Sequence, residues 1–120
     1  MERSVKIRYR IWIEIDGEPV LGKGGANLLR AIKEEGSLSA ASRRLGVSYV
    51  FAWEYLQRIN EILGIPVVET KRGGRGGGTA KLTKTGERLL ALYEKAEKIV
   101  RETLSSLSAN DLSVLLHNDL

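Results

Sequence analysis

Cysteine is absent from the 120 residues, and histidine, methionine and phenylalanine each occur once. Without thiols there can be no disulfide, no thiolate metal site and no cysteine nucleophile. The lone histidine, His117, has no accompanying ligand or base motif and reads as a residue of the tail. The carboxylates Glu34 and Glu35, and Glu94 and Glu97, fall in helical stretches among lysines. They read as solvated ion-pairing faces, not as a catalytic couple. The expectation is a chain without an active site, a metal or a cofactor. Long apolar runs are missing too. None nears the roughly 20 residues that span a bilayer, and Met1-Glu2-Arg3-Ser4-Val5-Lys6 lacks the apolar stretch of a secretory signal. No membrane role is expected, and the expected location is cytoplasmic.

The net charge is +4, and its distribution says more than its size. Residues 69–88 hold Lys71, Arg72, Arg75, Lys81, Lys84 and Arg88 against Glu69 and Glu87, while the other hundred residues balance at thirteen of each sign. A positive excess confined to one short segment has the character of a contact surface for a polyanion.

Residues 5–15 alternate strictly. Val5, Ile7, Tyr9, Ile11, Ile13 and Ile15 take one parity, and Lys6, Arg8, Arg10, Trp12 and Glu14 the other. That period of two predicts one long strand. Asp16-Gly17-Glu18-Pro19 is a turn signal, with Val20-Leu21 able to return as a short second strand. Gly22-Lys23-Gly24-Gly25 reads as a loop, and a helical period starts at Ala26 and stops at Gly36. Ser37 or Ser39 can cap a short helix ending near Leu45-Gly46, and Ser48 can cap a longer one ending near Leu63-Gly64. Val67-Val68-Glu69-Thr70 and Ala80-Lys81-Leu82 predict two strands around a loop of glycines and cations. Thr83 or Thr85 opens a last helix whose apolar positions Leu89, Tyr93, Ala96, Val100, Leu104 and Leu107 step by four and three, the spacing of a helix-pairing seam. Asp111 to His117 reads as a short amphipathic helix. Residues 1–108 are expected to form one domain and residues 109–120 a tail.

Two helices joined by Leu45-Gly46-Val47-Ser48 make a helix-turn-helix. The second would offer Tyr49, Val50, Trp53, Glu54, Gln57 and Arg58 to a major groove of roughly 12 Å width. Phe51 and Tyr55 read as core or interface residues. The cationic hairpin that follows, with Lys71, Arg72, Arg75 and Lys81, has the composition of a wing that tracks phosphates. Gly17-Glu18-Pro19-Val20-Leu21-Gly22-Lys23-Gly24 approaches a phosphate-binding loop. It ends in glycine where a hydroxyl would bind magnesium, and nucleotide binding is not expected.

The run from Gly36 to Ser48 resembles the helix-turn-helix of LysR-type regulators. Ser48-Tyr49-Val50-Phe51-Ala52-Trp53, Val68-Glu69-Thr70 and Gly73 to Thr83 resemble the N-terminal domain of ModE-type, molybdate-responsive repressors. The resemblance runs from about residue 5 to residue 102. It implies an α+β, mostly α winged helix-turn-helix with an N-terminal strand and a long C-terminal dimerisation helix. It also implies a homodimer on double-stranded DNA. Ser37, Ser39, Ser48, Tyr49, Val50, Trp53, Glu54, Gln57, Arg58, Lys71, Arg72, Arg75, Thr79 and Lys81 would then meet DNA. Ile11, Ile13 and the seam from Leu89 to Leu107 would meet the second copy. Val50 stands where that family carries a basic residue. Full-length members also carry C-terminal molybdate-binding domains, and no small-molecule effector is expected within these residues. The resulting expectation is a nucleoid-associated, sequence-specific transcription regulator. An architectural DNA-coating protein, or a protein-interaction module on the same scaffold, would share these features.

Overall fold

Asp16 and Gly17, both with positive φ (51° and 79°), make a two-residue turn. The twist of such a turn suits a tight antiparallel hairpin. In the computed structural model, which describes residues 3–73 and 78–117, this turn joins β1 (Ile13–Ile15) to β2 (Glu18–Leu21), with Ile15 opposite Glu18. Three helices follow, α1 (Lys23–Glu35), α2 (Leu38–Leu45) and α3 (Tyr49–Leu63). A second hairpin comes next, β3 (Val68–Lys71) with β4 (Thr79–Leu82), then the 22-residue α4 (Lys84–Ser105). The short α5 (Ala109–Ser113) runs into a 3-10 turn over Val114–Leu116. The architecture is mostly helical, with two small antiparallel ribbons.

Several expectations need correcting. The long N-terminal strand shrinks to β1, because within the chain only the four residues of β2 offer a ladder. Residues 5–10 stay mostly exposed, with Ile7 at 49% and Tyr9 at 38%. Glu18 and Pro19 belong to β2 and not to the turn; Pro19 is tolerated in so short a ribbon. The expected loop at Lys23–Gly25 is the first turn of α1. Propensity loses to packing there: a β-carbon on Gly25 would run into Tyr55 and Leu21, so glycine lets α3 approach α1. This also splits the phosphate-loop look-alike between a strand and a helix. The tail helix begins at Ala109, because Ser108 and Asp111 form a capping box there.

The core lies where α1, α2, α3, β4 and the start of α4 meet. Leu21, Leu29, Ile32, Ile59 and Val67 are fully enclosed. Side-chain caps fix the helix starts. Ser37 accepts from Ala40 N at 3.0 Å, Ser48 from Phe51 N at 3.0 Å and Thr83 from Gly86 N at 3.0 Å. Gly46, with φ of 69°, turns α2 into α3, and Val47 N closes that turn on Ser42 O at 3.0 Å. Ion pairs brace the helices from outside. Arg44 reaches Glu34 at 2.6 Å, Arg30 reaches Glu94 at 3.0 Å and Lys33 reaches Glu87 at 2.9 Å. The hydrogen bond it donates to Glu34 is the main reason the Arg44 guanidinium holds its proton more tightly than usual. Being exposed, these pairs orient the helices more than they stabilise them.

Only the first half of α4 is packed: Gly86, Leu89, Leu90 and Tyr93 are buried and nothing beyond Tyr93 is. Leu89 and Tyr93 are thus taken up by the chain's own core, and Leu107 lies beyond the end of α4. The distal half projects, which makes the molecule 68 × 35 × 19 Å, with a radius of gyration of 18.9 Å. A compact chain of this length would have about 13–14 Å.

The N-terminal segment lies against that projecting half, tied by the Tyr9 hydroxyl, which donates to Glu97 Oε1 at 2.8 Å. That bond, the largest influence, holds the Glu97 carboxyl below the usual carboxylate range. A lowered carboxyl stabilises the docked form above its ordinary range, and the effect is lost as pH falls through the lowered value. Tyr9 ring resonances followed by NMR down to about pH 2 should therefore shift in a step centred below the ordinary Glu value of about 4.3. A step at the ordinary value would show that the bond is not made.

Candidate nucleic-acid interface

The register of the second hairpin sorts its side chains. Val68 faces Leu82 and Thr70 faces Ala80 on one side; Glu69 faces Lys81 and Lys71 faces Thr79 on the other. Ala80 and Leu82 enter the core, so Thr79, Lys81 and Lys71 are left in solvent. The hairpin is anchored at its root. Ala80 N donates to Gly36 O at 2.9 Å, Thr83 N donates to Val67 O at 3.0 Å, and Val67 N donates to the Asn60 side chain at 2.9 Å. The first two bonds join β4 to the α1–α2 corner and to the start of β3; the third joins the start of β3 to the end of α3.

This anchoring sets the hairpin beside the N-terminal turn of α3. One open groove is lined by Ser39 of α2, Tyr49 and Trp53 of α3, and Thr70, Lys71, Arg72 and Thr79 of the hairpin. Tyr49 is 50% exposed and Trp53 47%, large aromatic faces left uncovered on a helix start. Among the described residues no carboxylate pairs with Lys71, Arg72 or Lys81, whereas Arg30, Lys33 and Arg44 are all engaged. The groove thus combines a helix N-terminus, hydroxyls, aromatic edges and unneutralised cations. Those are the groups that hold a phosphate backbone and read base edges beside it.

The remaining expected contact residues fall out differently. Val50, Glu54 and Lys81 are exposed but do not line the groove, and Gln57 is half-buried. Arg58 donates from Nη2 to Pro19 O at 2.9 Å, which turns it toward the β1–β2 hairpin and away from the groove. The Ser37 and Ser48 hydroxyls serve as helix caps, and Ser39 sits in the first turn of α2 instead of capping it. Phe51 is not a core residue: it is 58% exposed, with its ring 6.4 Å from that of Tyr55. Tyr55 is half-buried, and burial raises its hydroxyl pKa. Arg75 lies outside the described residues. Thr70 was missed by the sequence reading; its only signal was its place in the strand next to the cations.

The pattern of the bacterial regulatory helix-turn-helix proteins of the lysR family matches residues 26–87, from α1 through the second hairpin into α4. The chain belongs to that family. Among the family's curated relatives, the molybdenum-pterin-binding protein MopB of Rhodobacter capsulatus is 45% identical over 86 residues, 72% of this chain and 32% of MopB. The DNA-binding transcriptional dual regulator ModE of Escherichia coli (strain K12) is 36% identical over 85 residues, 71% of this chain and 32% of ModE. The chain therefore spans about a third of the length of these relatives. Among solved structures, the BenM_DBD/catB site 1 DNA complex is similar with a TM-score of 0.50 and 25% identity, over 68% of this chain and 84% of that one. ArgP from Mycobacterium tuberculosis shares the fold, with a TM-score of 0.51 at 23% identity over 68% of this chain and 28% of that one. The winged helix-turn-helix of this lysR-family chain is thus the fold that its sequence implied.

Proposed function

We propose that the chain is a sequence-specific, DNA-binding transcription regulator that acts as a homodimer. The observation that carries this reading is the shared groove of Tyr49, Trp53, Lys71, Arg72 and Thr79. It puts the start of α3 and the cationic hairpin on one side of the molecule, where a single duplex meets both. The relative named as a DNA-binding transcriptional dual regulator and the solved DNA complex support the same partner. Such a partner keeps the protein with the chromosome, in the cytoplasm. No small-molecule effector enters this reading of the DNA-binding unit.

The second copy is argued from α4. Leu92, Ala96, Ile99 and Thr103 step by four, three and four along one face, and Leu92 and Ile99 are 55% and 57% exposed. That stripe lies beside the expected seam, whose first members are already buried in the core. Val100 and Leu104 are half-buried and border it. Pairing two such helices covers an apolar strip that one protomer leaves wet. It also gives two copies of α3, which in a two-fold arrangement favour an inverted-repeat site with half-sites about 34 Å apart.

The test is a mobility-shift series on genomic fragments, repeated with Lys71→Ala/Arg72→Ala. The double variant should weaken binding to all sequences alike and lower the slope of log affinity against log salt by about 4 per dimer, one phosphate contact per cation on each of the two copies. Equal affinity of the parent protein for every fragment would overturn the sequence-specific reading and favour a DNA-coating role.

A further inference from the structure

The neutral balance outside residues 69–88 hides a second concentration of positive charge. Residues 3–12 carry Arg3, Lys6, Arg8 and Arg10 and no carboxylate. Lys6, Arg8 and Arg10 share one parity and are all exposed. They line an open groove whose opposite wall is the start of α1 and the projecting half of α4, where Lys23 adds charge and Lys98 is paired with Glu102. The two carboxylates on that wall are already engaged, Glu94 with Arg30, and Glu97 with Arg101 and Tyr9. Among the described residues none pairs with Lys6, Arg8 or Arg10.

We infer that Lys6, Arg8 and Arg10 form a second surface for duplex phosphates, which holds DNA beyond the stretch covered by α3 and the hairpin. The inference rests on the DNA-binding reading above. The surface is open and linear, which suits a polymer better than a small anion. The 68 Å length of the protomer is twice the roughly 34 Å of a DNA turn, so charge near the projecting half of α4 can reach past a half-site. The apolar parity turns to the chain itself, where Tyr9 bonds to Glu97 and Ile11 packs against the core, which leaves the cationic parity to solvent.

The experiment compares the full chain with Lys6→Ala/Arg8→Ala/Arg10→Ala on two duplexes, one trimmed to the bound site and one extended by a helical turn at each end. Salt titrations are read by fluorescence anisotropy, and size-exclusion chromatography confirms that the variant assembles as the parent does. On the extended duplex the salt slope should fall by about 5 per dimer, three cations on each copy, with little change on the trimmed one. A pair of trimmed duplexes, differently labelled, reports whether the surface grips flanking DNA or a second molecule: co-capture lost in the variant supports the surface acting in trans. An unchanged slope on the extended duplex together with unchanged co-capture overturns the inference, and so does a variant that binds less only because it no longer assembles. If the triple variant does not fold, Arg8→Ala alone should lower the slope by about 2 per dimer. The Lys71→Ala/Arg72→Ala variant separates the two readings. If it loses binding while the N-terminal variants do not, only this inference falls; if neither loses binding, the DNA-binding reading falls with it.

Discussion

Replacing Ile99 with glutamate should turn a dimer into monomers. Leu92 and Ile99 are each a little over half exposed in the single chain. Covering those exposed halves on both copies contributes about 3–6 kcal/mol, half of what four fully buried side chains would give. A carboxylate at residue 99 forfeits part of that gain and sets two like charges against each other in an apolar seam, which costs several kcal/mol more. Together these should raise the dimer dissociation constant by at least about 1,000-fold, equivalent to about 4 kcal/mol. Sedimentation equilibrium reads this directly. Affinity for a duplex with two half-sites should drop by about 100-fold or more, because linked binding gains that factor without new contacts. A single half-site should be bound almost as before. An Ile99→Glu protein that still sediments as a dimer would show that another surface joins the copies.

Gly86→Ala should be the most damaging single methyl in the protein. Gly86 is the third residue of α4, and its added β-carbon would fall on the carbonyl of Val67. That carbonyl cannot retreat. It accepts from Thr83 N, its residue is fully buried, and the Val67 amide is held by Asn60. Alanine would favour the helix by up to about 1 kcal/mol. Overpacking against pinned backbone costs about 1–3 kcal/mol or more, and here the upper end applies because the clash is with main chain. A net loss of about 2 kcal/mol should lower Tm by roughly 10 °C. An unchanged melting curve would mean that α4 and β3 can separate, and the hairpin would then lack the anchor described here.

The parts of the fold that were legible in the sequence were those governed by local chemistry. Ser48 capping α3 and Gly46 turning α2 into α3 need only neighbouring residues to decide them. The errors came where distant contacts decided. Gly25 looks like a loop residue until Tyr55 is placed against it. The alternation of residues 5–15 announces a strand but cannot announce which chain supplies its partner. The stepping of Leu89 and Tyr93 is the same whether a helix packs on its own domain or on a copy. Exposure, which only coordinates give, moved the uncovered strip to Leu92 and Ile99. Lys71, Arg72, Tyr49 and Trp53, singled out from composition and capping, line one groove. Arg58 does not line it, because the carbonyl of Pro19, thirty-nine residues away in sequence, takes its guanidinium.

The bond from Ala80 N to Gly36 O has one more effect. It rivets the hairpin to the α1–α2 corner, from which α2 leads through the Gly46 turn into α3, so the hairpin and the start of α3 share one frame. On a duplex they behave as a calliper of fixed gap. Under the proposed function, a site whose neighbouring grooves match that gap would be gripped without distortion, and one that does not would have to bend to fit, so sequence-dependent stiffness would be read even at base pairs that no side chain touches.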